Sequence, residues 1–240
     1  ENALGTEITA RAGKVGETRE AGSSLGTRVS VKDLFHNMPV RQKFFKSDHT
    51  ERNHIIRLIE NYSLAHPDIG FQLQEEGRDL MGPLPPGQAL LERISGVFGP
   101  SLIKDLLPLN AENKFLKLSG YIAKPALSFP NRSRQFLFVN GRTVESRLIY
   151  GALADSYRTF LPARRYPGIF LNIEIDPSLI DVNIHPTKKE IKFINESGVY
   201  SAISQSVLQV LQQKELVPSL KTPPPSPPKG IGEAMELSFP

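Results

Sequence analysis

Apolar and polar residues alternate over Gly26-Thr-Arg-Val-Ser-Val-Lys32, which predicts a half-buried strand. Pro39 suits the first position of a short helix running through Phe45, because its missing N–H has no partner there anyway. Ile55, Leu58, Ile59 and Tyr62 recur at helical spacing and predict an amphipathic helix that ends at His66-Pro67. Gly70–Glu75 alternates again and predicts a strand, residues 88–98 a helix ending near Gly99-Pro100, and Lys114–Ala123 another strand.

The clearest unit follows. Arg134–Val139 reads as a strand, Asn140-Gly141 as a tight turn, and Leu148, Ile149, Ala152, Leu153, Tyr157 and Phe160 as one face of a helix. Gly168–Ile175 reads as the next strand. Strand, helix and strand in this order predict a right-handed βαβ crossover. Ile180–Ile184 and Glu190–Ile194 read as short strands flanking His185-Pro186, and Val199, Ile203, Val207 and Val210 mark a last amphipathic helix. No internal repeat interrupts this succession, and the fold class it predicts is α+β.

Proline punctuates the chain in two places. Gly82-Pro-Leu-Pro-Pro-Gly87 is the expected internal domain boundary. The last 25 residues hold 7 of the 20 prolines, concentrated in Thr222-Pro-Pro-Pro-Ser-Pro-Pro-Lys229, and such a run suits a linker leading away from a folded body. The expected organisation is therefore 1–85, 86–215 and a Pro-rich linker start at 216–240. The chain begins at Glu1 rather than Met, which points to a cut or processed parent.

The chain has 240 residues, 39% of them hydrophobic, enough to bury a core and to exclude global disorder. It has no cysteine, so disulfides, thiolate metal sites and a cysteine nucleophile are excluded. No apolar run approaches the roughly 18 residues of a membrane span. Charge is uneven: residues 1–113 carry thirteen Lys and Arg against fifteen Asp and Glu, whereas 114–200 carry thirteen against seven. A basic second half suits an anionic partner docked on one part of the molecule, or a merely solvated surface.

The five histidines include no H-E-x-x-H pair, and neither G-x-S-x-G nor a G-x-x-x-x-G-K-[ST] phosphate loop is present, so no protein metal site and no complete active site are expected. Three segments carry candidate chemistry. Asp33–Pro39 reads as a turn feeding a helix with Arg41, Lys43 and Lys46 near its start, where cations oppose the helix dipole by a few tenths to about 1 kcal/mol. An outside anion would relieve that opposition, although an ordinary solvated helix accounts for the residues equally. Phe138-Val-Asn-Gly-Arg-Thr-Val-Glu-Ser-Arg147 places two arginines at a strand-to-helix turn, a setting suited to phosphate as well as to a plain surface turn. Asp181-Val-Asn-Ile-His-Pro-Thr-Lys-Lys-Glu190 presents Lys188 and Lys189 beyond a His-Pro corner, as flexible point charges able to reach a phosphate.

Together these segments resemble the MutL family of DNA mismatch-repair proteins. The resemblance rests on Gly26-Thr-x-Val-x-Val-x-Asp-Leu-Phe-x-Asn-x-Pro-x-Arg-x-Lys-Phe44, on Val139-Asn-Gly-Arg142 with Arg147-Leu-Ile149, and on Asp181-Val-Asn-Ile-His-Pro-x-Lys188, in the family's order and spacing over about residues 1–215. It implies the C-terminal part of a gyrase/Hsp90/histidine-kinase/MutL-type ATPase domain followed by a ribosomal-protein-like βαβ transducer domain. Gly26 and Thr27 would belong to the last ATP-site motif, and Lys188 would contact the γ-phosphate from the transducer loop. Lys43, Arg142 and Arg147 would meet DNA phosphates.

The resemblance also implies an ATP-gated DNA clamp that links mismatch recognition to downstream repair, with ATP and Mg as cofactors of the intact parent. Its partners would be double- and single-stranded DNA, a mismatch-sensing MutS-type protein and a second copy in the parent, with no membrane. Its location would be the cytoplasm, with the nucleoid, in a bacterium and the nucleus in a eukaryote. The family's general-base Glu, Mg-binding Asn, D-x-G-x-G and G-F-R-G-E-A-L motifs precede the matched region and are not found here. These 240 residues are accordingly expected neither to bind the nucleotide nor to hydrolyse it by themselves. Asn61 falls near a position that can be basic in the family, which predicts weaker DNA binding. The alternative is a stand-alone nucleic-acid-binding module without nucleotide chemistry.

Overall fold

Strands need neighbours to satisfy their backbone groups, and the neighbours decide which of the alternating segments become strands. The computed structural model describes residues 4–181 and 190–213. The chain divides after Ile59 into two units, and the Gly82–Gly87 run lies inside the second.

In the first unit, β1 (Leu4–Arg11) and β2 (Lys14–Gly22) form an antiparallel hairpin around Ala12 and Gly13, both at positive φ. The expected strand over 26–32 does not form. No described segment pairs with it, and Val29 and Val31 stand 81% and 71% exposed. Alternation alone supplies no ladder. α1 (Pro39–Gln42) starts at Pro39 as expected but ends after a single turn, and α2 (Asp48–Ala65) follows. The face read from Ile55, Leu58 and Tyr62 is about half exposed, and the buried residues of α2 are Ser63 and Leu64 in its last turn. That turn belongs to the second unit, whose core Leu64 joins.

The second unit begins with the hairpin β3 (Phe71–Glu75) and β4 (Arg78–Leu84), then α3 (Leu90–Phe98) and α4 (Pro100–Ile103). Next come β5 (Leu106–Glu112), β6 (Leu116–Ala123), β7 (Ser128–Phe129), β8 (Gln135–Val139), β9 (Arg142–Thr143) and α5 (Arg147–Tyr157). β10 (Tyr166–Pro167), β11 (Ile169–Ile175), β12 (Ile180–Asp181), β13 (Lys192–Phe193) and α6 (Glu196–Gln213) complete it. Five strands make the central sheet in the order β5-β6-β11-β8-β9. β8 and β11 are parallel and joined through α5, so the expected βαβ crossover is present.

The sheet is covered on both faces. Leu107, Leu118, Leu137, Ile169, Leu171 and Ile173 pack with Ile149 and Leu153 of α5 and Val199, Ile203 and Val207 of α6. On the other face Phe136, Phe138 and Phe170 pack with Leu64, Ile94 and Leu102, and Phe136 stacks on Phe170 at 5.4 Å between centroids. Double coverage explains why β8 reads as an unbroken apolar run, Gln-Phe-Leu-Phe-Val, with every residue buried. The Tyr157 hydroxyl, forced up in pKa by burial, donates to the Ala123 carbonyl at 2.5 Å and ties α5 to β6.

Candidate nucleic-acid interface

The arginines of the second candidate segment are set on a turn that the fold pins from two sides. Asn140 and Gly141 both have positive φ, 49° and 76°, as a two-residue hairpin turn requires. Glycine and asparagine tolerate that region best. The Asn140 side chain does further work: its Nδ2 donates to the Ile175 carbonyl at 2.9 Å, and its Oδ1 accepts from the Ile175 N–H at 3.0 Å. One amide thus closes the end of β11 and fastens the turn to it. Sequence reasoning found the turn but not this fastening, for which an Asn at a strand end is only a faint signal.

From the turn, β9 pairs back on β8 through Val139↔Arg142 and Phe138↔Thr143. Val144 is buried, and the Ser146 hydroxyl caps α5 by accepting from the Ile149 N–H at 3.4 Å. Arg142 and Arg147 therefore leave the framework on either side of the buried Val144 and Ser146, with the exposed Glu145 between them, and both are exposed. Among the described residues neither joins an ion pair. The fold brings these two cations to the same end of the βαβ unit. Replacing Asn140 by Ala should lower stability by roughly 2 kcal/mol, because two β11 groups lose their partners. Urea unfolding followed by circular dichroism measures that loss.

The first unit holds the other candidates. Gly26 lies outside regular structure at φ +128°, a conformation for which glycine is suited, and a Cβ built there would meet nothing within 4 Å. Thr27 beside it is exposed. Lys43 is the C-cap of α1 and is also exposed, and Arg41 lies in the last turn with its guanidinium 5.6 Å from the Phe35 ring centroid. This corrects the dipole reading. Because the helix stops at Gln42, the cations stand at its C-terminal end, where the dipole favours them. They need no outside anion for that reason. Lys188, His185 and Lys189 lie outside the described residues, as does the Pro-rich 222–229 run.

Among the described residues no group of three or more His, Asp or Glu side chains is placed to hold a metal ion. No described helix is long and apolar enough to cross a membrane.

Comparison with known proteins agrees with this architecture. The family described as "DNA mismatch repair protein, C-terminal domain" matches residues 94–212. The chain is 40% identical over 210 residues to the DNA mismatch repair protein MutL of Opitutus terrae, a match covering 88% of this chain and 33% of that protein. It is 38% identical over 212 residues to MutL of Methanoculleus marisnigri, covering 88% and 36%. The chain thus spans about a third of the length of these relatives.

Among solved structures, the N-terminal domain of a DNA repair protein superposes with a TM-score of 0.75 at 26% identity, covering 88% of this chain and 69% of that one. The Aquifex aeolicus MutL ATPase domain complexed with ADP gives 0.55 at 30% identity, covering 72% and 63%.

Proposed function

The chain belongs to the MutL family of DNA mismatch-repair proteins, and we propose that within such a protein it carries the second half of an ATPase domain and the transducer domain of an ATP-gated DNA clamp. In this reading residues 1–85 belong to the ATPase domain, 86–215 to the transducer and 216–240 to the start of a linker. The observation that carries the DNA reading is the pair Arg142 and Arg147, exposed, without an ion pair among the described residues, and held on a pinned strand–turn–helix frame. Guanidinium groups so placed meet backbone phosphates without reading bases. Such contacts suit a clamp whose mismatch is recognised by a separate MutS-type partner. Lys43 adds a third contact from the first unit.

For the nucleotide, the open space over Gly26 fits the close approach of a phosphate to backbone N–H groups, and Thr27 offers a hydroxyl beside it. The ADP-bound Aquifex relative supports nucleotide binding by the parent protein. ATP with Mg, when bound, would supply a phosphoryl group and concentrated negative charge. Lys188 would place a cation against the γ-phosphate. The clamp's second copy, its action on DNA and its place in cytoplasm or nucleus follow the same reading.

The test is duplex-DNA binding by this chain as a function of salt, wild type beside Arg147→Glu. Steep salt dependence is expected for the wild type, with affinity at low salt falling roughly tenfold or more and the slope becoming shallower in the variant. Equal binding by the two proteins would remove the transducer arginine from the interface.

A further inference from the structure

A second cationic site lies at the other end of the βαβ unit. A recess of about 450 Å³ opens between the 3-10 turn Arg132–Arg134, the C-terminal end of α5 and the loop leading into β10, and Arg132, Arg158, Arg164 and Arg165 all line it. It contains no carboxylate among its lining residues, and among the described residues none of these arginines makes an ion pair. Asp155, one turn before Arg158, is engaged by the Tyr200 hydroxyl instead. Gln135 at the start of β8 borders the recess, whereas Arg142 follows the far end of that strand. Along α5 the recess reaches back as far as Tyr150, one turn beyond Arg147, while Arg158, Arg164 and Arg165 stand past the last residue of the helix. Arg142 therefore stands apart from the recess, whereas Arg147 lies one helical turn from its Tyr150 wall.

The arginines of the recess are exposed, and neighbouring groups position two of them. The Arg132 guanidinium lies 4.6 Å from the Tyr150 ring centroid and 5.2 Å from that of Tyr166, so two aromatic faces position it and leave its N–H donors unused by any acid. Arg165 is fixed by Ser128, whose hydroxyl and carbonyl both accept from it. Arg164 sits at φ +62°, an uncommon conformation for a side chain of its size. The larger recess of about 660 Å³ elsewhere on this unit differs in kind, because Glu112, Glu174 and Asp176 line it beside its lysines.

We infer that the Arg132–Arg164 recess is a binding site for a phosphoryl group, with none of the residues proposed to contact DNA among its lining. Four neighbouring guanidinium groups repel one another until an anion enters. A carboxylate neutralises one of them, whereas a phosphate carries close to two negative charges and three acceptor oxygens. Charge matching and the fork geometry of arginine thus favour phosphate. The group could arrive on a free phosphate compound or on a nucleic-acid end, since both present the same chemistry.

Calorimetric titration of the 240-residue chain with inorganic pyrophosphate at low salt tests the site. Saturable one-to-one binding is expected, weakened roughly tenfold or more by Arg132→Gln. Arg164→Gly, which keeps the left-handed backbone without strain, should weaken it as well. Circular dichroism confirms that the variants fold. Arg142→Glu, beyond the far end of β8, should leave pyrophosphate binding unchanged, so failure of the DNA reading and failure of this one are separable. A 5′-phosphorylated duplex that binds more tightly than its unphosphorylated twin, and is displaced by pyrophosphate, would identify a nucleic-acid end as the source. Equal binding of the two duplexes, undisturbed by pyrophosphate, would identify a free phosphate compound. Absent pyrophosphate binding, or binding that both variants retain, would overturn the site.

Discussion

Replacing Gly120 by alanine should destabilise the second unit by about 3–5 kcal/mol, the sum of an overpacked core and a strained backbone. Gly120 lies in β6 between Leu109 of β5 and Leu171 of β11, in the interior of the five-stranded sheet. Its φ is +139°, and a Cβ built on it would stand 2.0 Å from the Phe170 carbonyl oxygen and 3.2 Å from the Leu171 Cα. These are backbone atoms of a strand paired on both sides, so they cannot swing away as a side-chain tip would. Either β11 separates from β6 or Gly120 changes its φ, and both break the ladder. Gly87→Ala is the control: it has φ +74° with nothing within 4 Å, so it carries only the conformational cost of about 1–2 kcal/mol. Thermal unfolding should separate the variants by roughly 5–10 °C, using 2–4 °C per kcal/mol for a protein of this size. Equal melting temperatures would mean that β6 and β11 are not as close as described.

The second large effect is expected at Arg93. This side chain is fully buried on α3, and its Nη2 donates to the carbonyls of Pro67, Ile69 and Pro85 at 2.8, 2.9 and 2.8 Å. One nitrogen with two hydrogens serves three acceptors, so the bonds are shared. The three carbonyls belong to loops rich in proline, which have few N–H groups with which to satisfy themselves. Arg93 takes the place of a ladder there and binds the ends of the β3–β4 hairpin to α3. Burial pushes its pKa down from the usual guanidinium range, and the charge of Asp68 acts in the opposite direction. Phe71 places its ring centroid 5.8 Å from the guanidinium carbon.

Arg93→Met keeps the length and removes every donor, leaving three carbonyls without it. The expected loss is about 3–5 kcal/mol, from three buried carbonyls left without their donor at roughly 1–3 kcal/mol each, partly offset by the lower cost of burying an uncharged side chain. Arg93→Lys should recover only part of it, because the shorter side chain does not bring its ammonium to the place of Nη2, where all three bonds are made. Urea unfolding midpoints for the three proteins measure the order; a lysine variant as stable as the wild type would show that charge, not geometry, is what the loops require.

Local pattern carried much of the second unit. β8, the Asn140-Gly141 turn, α5 and β11 were all legible, because each is short in range: period two or three and a half, turn chemistry, and a connection of the length a crossover needs. Position of the MutL-type motifs was legible in the same way, since those motifs are contiguous residues. What required tertiary contacts was different in kind. The stretch 26–32 alternates as well as β3 does, yet only β3 finds a described partner. The face of α2 marked by Ile55, Leu58 and Tyr62 has the right spacing, yet burial falls on Ser63 and Leu64.

The two arginine sites divide along the same line. Arg142 and Arg147 lie five residues apart and could be read together in the chain. Arg132, Arg158 and Arg164 are spread over more than thirty residues, and they meet because β8 and α5 run in opposite directions and return the chain to one end of the sheet. Neighbouring residues thus suffice to encode the elements and the family motifs. Which faces are buried, which glycine must remain glycine and which distant cations share a recess are set by folding, because burial, close approach and charge clustering belong to residues that meet only in the folded chain.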